Sequence, residues 1–145
     1  MARPLARILF VDDEADIRTI ARMALEEVGG FEVIACASGP EAIAAAPTAR
    51  ADLLLLDAMM PGMDGLATLA ALRTIPATQS TPVIFITARV QAQQISGYRA
   101  LGAAGIIAKP FSPMDVSGEI LRIWQKLRPA PVDALPTGRG SGDRA

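Results

Sequence analysis

Short apolar runs alternate with amphipathic stretches along the whole folded part of this chain. The runs cover residues 8–11, 31–36, 53–56, 83–86 and 105–108, and each is too short for a lone buried helix. They read as strands, and the run of four leucines at 53–56 reads as a central strand buried on both faces. Between them lie helical patterns. Residues 15–28 place Ile17, Ile20, Ala21, Ala24, Leu25 and Val28 at helical spacing, and Gly29-Gly30 ends that helix. Ser38-Gly39-Pro40 caps and starts an alanine-rich helix running to about Ala46, where Pro47 is expected to stop it. Further helices are expected over 65–75, 92–101 and 115–126, the last with Val116, Ile120, Ile123, Trp124 and Leu127 on its inner side. Residues 76–81 form a polar loop.

Five strand–helix alternations are the pattern of a parallel sheet covered on both faces. Right-handed crossovers restrict it to an α/β doubly wound architecture. From Arg128 the composition turns to Pro, Gly, Ala and Arg without apolar period. The folded domain is therefore expected over 5–128, and 129–145 as a disordered tail. No second globular segment and no DNA-binding output pattern is legible after the domain.

Composition narrows the function. Fourteen basic against fifteen acidic residues leave no polycationic face, which argues against nucleic acid as the main partner. No apolar run reaches membrane-spanning length. The single cysteine, Cys36, sits inside an apolar run and reads as a buried structural thiol in a reducing, cytoplasmic setting. The absence of histidine removes imidazole general-base catalysis and imidazole metal ligation from this chain.

What the strand ends carry is more informative. Strand one runs into Asp12 and Asp13, strand three into Asp57, strand four into Thr87 and strand five into Lys109. In a parallel sheet these residues share one edge, the edge where open α/β sheets bind ligands. Asp57 alone is a candidate nucleophile, metal ligand or base, or simply a solvated acid. Three carboxylates brought together repel one another, and a hard divalent ion with oxygen ligands relieves this. Mg2+ with an ammonium and a hydroxyl is what a phosphoryl group needs around its oxygens. An aspartate placed there can attack phosphorus and carry an acyl phosphate.

As a set, VDDE after strand one, LLLLDAMMPGMDG at strand three, ITA at strand four and AKPF at strand five resemble the response-regulator receiver domains of two-component signalling, from about Arg7 to Leu127. The resemblance implies a flavodoxin-like five-stranded order 2-1-3-4-5. It implies Asp57 as phosphoacceptor, and Asp12 and Asp13 as the metal-binding acid pair. It makes the Met59 backbone carbonyl the third protein ligand to Mg2+. Thr87 becomes the hydroxyl that follows the phosphoryl group, and Lys109 its cation, with a cis Lys109-Pro110 bond. A sensor histidine kinase or phosphotransfer protein then supplies the phosphoryl group. The output, in a phosphorelay or otherwise, passes to an unidentified downstream protein by contact, and the chain is a phosphoacceptor and not an enzyme.

Some positions depart from the family pattern. Ile106 stands where an aromatic usually precedes the lysine by three residues, and Met59 where many receivers carry a polar side chain. Arg89, two residues after Thr87, either borders the pocket or is an exposed loop cation. Two other readings stand beside it: within the same fold, a constitutive, phosphorylation-independent binding module, and from a different class, a phosphatase of the aspartyl-nucleophile type. The second needs an acid two residues after the nucleophile, where this chain has Met59.

Overall fold

The computed structural model describes residues 4–88 and 92–127; Arg89 and the expected tail at 129–145 lie outside the described residues. Five strands, β1 (Arg7–Val11), β2 (Glu32–Cys36), β3 (Leu53–Asp57), β4 (Val83–Thr87) and β5 (Ala103–Ala108), form one parallel sheet. Their order is β2-β1-β3-β4-β5, as expected. The connecting helices are α1 (Ala15–Met23), α2 (Gly39–Ala49), α3 (Gly65–Leu72), α4 (Ala92–Ala100) and α5 (Val116–Leu127).

The leucine run shows why the sheet needs cover on both sides. Leu53 and Leu55 join one core with Ala21 and Leu25 from the first helical segment and Val116, Ile120 and Trp124 of α5. Leu54 and Leu56 point the other way, into a core with Ala42, Ala46, Leu69, Leu72 and Tyr98. All four are fully buried, each worth roughly 1.5–3 kcal/mol of transfer free energy. Strand pleat alone assigns them alternately to the two layers.

Several expectations need correction. Pro47 does not stop α2, which continues to Ala49. It lies on the solvent side of the last turn and gives up one backbone hydrogen bond there, while Ala46 and Ala49 beside it stay buried. The first helix is not α-helical through Val28. Residues Ala24–Val28 form a π-helical segment in which the Gly29 N–H donates to the Ala24 carbonyl at 3.2 Å. The wider turn shifts the helical phase, and Val28 ends up exposed. Ile20 and, on α5, Leu127 are exposed as well. The helix expected over 65–75 ends at Leu72, and a 3-10 turn, Pro76–Thr78, enters what reads as loop. β5 begins two residues early, at Ala103, next to a register irregularity against β4.

Candidate functional site

Register brings the strand ends together. Val11 pairs with Leu56, so Asp12 and Asp57 come next on neighbouring strands or close them. Asp57 pairs with Ile86, which puts Thr87 one step further along β4. Thr87 pairs with Ala108, and the Lys109 N–H donates to the Thr87 carbonyl at 2.9 Å. One carboxylate oxygen each from Asp12, Asp13 and Asp57 lies within 4.8 Å of the others. Asp12, Asp57 and Thr87 are buried, and Asp13 stands partly exposed at the mouth.

Short local bonds fix these groups. Asp57 Oδ1 accepts the Met59 N–H at 3.0 Å, and its Oδ2 accepts from Lys109 Nζ at 3.1 Å. The chain then turns away through Pro61-Gly62, where Gly62 takes a left-handed φ of 71°. Gly65 opens α3 directly against the Asp57 backbone, and a Cβ there would collide with the Asp57 carbonyl. Asp64 caps the same helix by accepting the Ala67 N–H at 2.8 Å. Across the pocket, Asp12 Oδ1 accepts the Glu14 N–H at 2.9 Å, and the Asp12 carbonyl accepts from Arg18 at 2.8 Å. The Lys109-Pro110 bond is cis, as the family resemblance implied.

Lys109 is the counter-charge of the pocket. Its ammonium sits 2.9 Å from Asp12 Oδ2, 3.1 Å from Asp57 Oδ2 and 3.1 Å from Glu14 Oε1. Burial acts to lower its pKa, but the carboxylates of Asp12 and Asp57 outweigh burial and hold it above the ordinary lysine value. At Asp57 the balance runs the other way. Burial raises its pKa, and neither the Met59 N–H nor Lys109 fully offsets that. One ammonium thus faces the Asp12, Asp57 and Glu14 carboxylates, with Asp13 beside them, which leaves an excess of negative groups.

A hard cation fits the remaining deficit. The donors are all carboxylate oxygens, and among the described residues the buried Asp12 Oδ2 has an ionic contact to Lys109 but no directed hydrogen bond. Mg2+ is held through one or two carboxylates with water completing its shell. Of the residues read from sequence, Asp12, Asp13, Asp57, Thr87 and Lys109 all meet at this edge. Met59 reaches it through its backbone N–H, with its side chain half-exposed. Cys36 is a buried thiol, its pKa pushed up by burial. Glu14, the last residue of VDDE, carries no role that the sequence reveals, because an acid at a helix start usually faces solvent; here it contacts Lys109.

A flavodoxin-like sheet carrying this set of strand-end residues defines the receiver class of signalling domain. The model of the response regulator receiver domain matches residues 8–120, and the chain belongs to that family. It is 42% identical over 125 residues to the transcriptional regulatory protein ResD of Bacillus subtilis, covering 86% of this chain and 49% of that protein. It is 33% identical to the phosphate regulon transcriptional regulatory protein PhoB of Klebsiella pneumoniae, covering 89% of this chain and 56% of PhoB. The chain thus spans about half the length of the curated relatives it matches. Among solved structures, the chemotaxis protein CheY4 of Vibrio cholerae superposes with a TM-score of 0.76 at 32% identity, over 83% of this chain and 99% of that one. Among the described residues, no helix is long and apolar enough to cross a membrane.

Proposed function

We propose that Asp57 accepts a phosphoryl group from a phosphohistidine on a sensor kinase or phosphotransfer protein, and that this domain signals by protein contact in the cytoplasm. The observation that carries the reading is the convergence of three carboxylate oxygens within 4.8 Å, with Lys109 bridging Asp57 and Asp12. An Asp57 carboxylate oxygen forms the new O–P bond. The P–N bond of the donor breaks, and its electron pair stays on the donor's imidazole. Asp12, Asp13, Asp57 and the Met59 carbonyl are the groups that would hold Mg2+. When bound, Mg2+ supplies positive charge against the phosphoryl oxygens. Lys109 pairs with one phosphoryl oxygen, and the Thr87 hydroxyl donates to another. The chain is then a phosphoacceptor, with no turnover of an independent substrate.

A protein donor also needs a surface. Helix α1 starts directly after the acid run, and its Ile20 and Met23, with Val28 of the π-helical segment and Met114 ahead of α5, expose apolar side chains. That flank, on the helix that begins just after Asp12 and Asp13, is the seat we assign to the phosphodonor protein.

Incubation with radiolabelled acetyl phosphate tests the chemistry. Wild type is expected to label in Mg2+ and to stop labelling when the metal is chelated, and Asp57→Asn is expected not to label at all. Equal labelling of the Asn variant, or full labelling in chelator, sinks the proposal.

A further inference from the structure

The Lys109 ammonium has three N–H bonds to direct, and three carboxylates surround it. Two of these, Asp12 and Asp57, are buried acids of the pocket. The third, Glu14, stands apart from the Asp12, Asp13 and Asp57 trio, and its side chain is 60% exposed.

The backbone around Glu14 makes this contact informative. Glu14 is the N-cap residue of α1, the position where a side chain ordinarily accepts an N–H of the first turn, yet its carboxylate makes no cap bond. Its N–H is tied to Asp12 Oδ1 at 2.9 Å, and its carbonyl accepts the Arg18 N–H at 2.9 Å. The main chain is pinned on both sides, so only the side chain is free to swing, and it is turned to a lysine 95 positions away. An exposed carboxylate is the one of the three that can leave Lys109 at little cost, since exposed ion pairs are weak.

Resting on the phosphoacceptor reading, we propose that Glu14 is a positioning residue for Lys109: an exchangeable counterion that occupies the outer side of the ammonium until a phosphoryl oxygen displaces it. Glu14 keeps the lysine at the mouth of the pocket and competes with the incoming oxyanion for it. The competition sets how readily the site accepts phosphoryl groups, apart from the acids that hold metal. The structural basis is contact, and the contact depends on side-chain reach. Aspartate at this position keeps the charge but is one methylene short of the 3.1 Å approach.

The test compares wild type, Glu14→Gln and Glu14→Asp at saturating Mg2+, measuring the acetyl phosphate labelling rate and the affinity for beryllofluoride. Both variants are expected to label faster and bind beryllofluoride more tightly, by about 2- to 5-fold, the scale of an exposed ion pair. In metal-free protein the Lys109 Cε resonance is expected to move in both. A faster Gln variant with an Asp variant matching wild type would show a general charge effect and overturn the contact. No change, or slower labelling, in both variants overturns the competition. Labelling that survives Asp57→Asn in the same assay is a separate result, and it removes the phosphoacceptor reading itself.

Discussion

The C-terminal edge of the sheet buries charge, whereas the flank made by α1 and the start of α5 exposes hydrocarbon. At the edge, Asp12, Asp57 and Lys109 are almost wholly enclosed, and the lysine is paired with both acids. On the flank, Met23 and Met114 are 52% and 71% exposed, and the groove between them is lined mainly by apolar side chains. Each region runs against the ordinary sorting of side chains, which puts charge outside and large apolar groups inside. The edge tolerates its charges because opposite charges and directed bonds face them. The flank has no such compensation within the described residues, and its apolar groups add little to folding.

The largest expected difference follows from that contrast. Ile120 is fully buried in the core that α5 shares with the sheet, and Ile120→Ala should cost about 2–5 kcal/mol. Met23→Ser, on the exposed flank, should stay within about 0.5 kcal/mol. Urea unfolding of the two variants measures both. A flank variant as costly as the core variant would mean that Met23 is packed after all.

The same contrast explains what could be read from the sequence. Strand-end chemistry is legible because a parallel sheet places every strand's C-terminal end on one side, so Asp12, Asp13, Asp57, Thr87 and Lys109 converge whatever the helices do. Helix burial depends on which neighbour covers which face, and periodicity does not contain that. Ile20 and Val28 fit the apolar stripe, but among the described residues no element covers Ile20, and the π-helical turn moves Val28 out of phase. Leu127 continues the α5 stripe past the point where the sheet can cover it. Pro47 misleads for a related reason: an interior proline costs one helical hydrogen bond, and the burial of Ala46 and Ala49, which periodicity does not contain, carries the helix past it. Glu14 has no single reading from sequence, because capping, solvent and Lys109 are all within reach of a glutamate there.

Metal binding should give the next effect in size. A ligand that binds only the folded state at about 100 times its Kd stabilises it by about 2.7 kcal/mol. Adding Mg2+ at that level should raise the thermal midpoint of wild type, chelator should reverse the rise, and Asp13→Asn should lose most of it. An equal rise in the Asn variant would place the ion elsewhere.

A smaller, pH-dependent effect concerns Asp57 without metal. Burial raises its folded pKa above the ordinary value of 3.8. A carboxylate raised in this way contributes stability that is fully present below its unfolded pKa and is lost as pH rises through the folded one. Asp57→Asn escapes that loss. Its stability relative to wild type should therefore grow as pH rises from about 4 towards neutrality. The opposite trend would mean that the Lys109 pair outweighs burial at this carboxylate.

The smallest expected effect is at Ile106, on the edge strand β5. It pairs with Phe85 in the sheet and packs, half-buried, against the core that contains Phe85 and Tyr98, whose rings lie 5.1 Å apart. A large ring at this position could change its exposed area greatly by turning in or out. Ile106 has a β-branch that restricts χ1, and its rotamers cover nearly the same surface. Removing one methyl changes buried area by an amount worth about 1 kcal/mol. If Asp57 phosphorylation is transmitted to a partner, backbone movement after Thr87 and in α4 must carry most of it. Hydrogen exchange with and without beryllofluoride, in wild type and Ile106→Val, separates the two routes. The expected result is a response in α4 of similar size in both proteins. Loss of that response in the valine variant would make the Ile106 side chain the moving part, and the edge would then signal through packing instead of through its main chain.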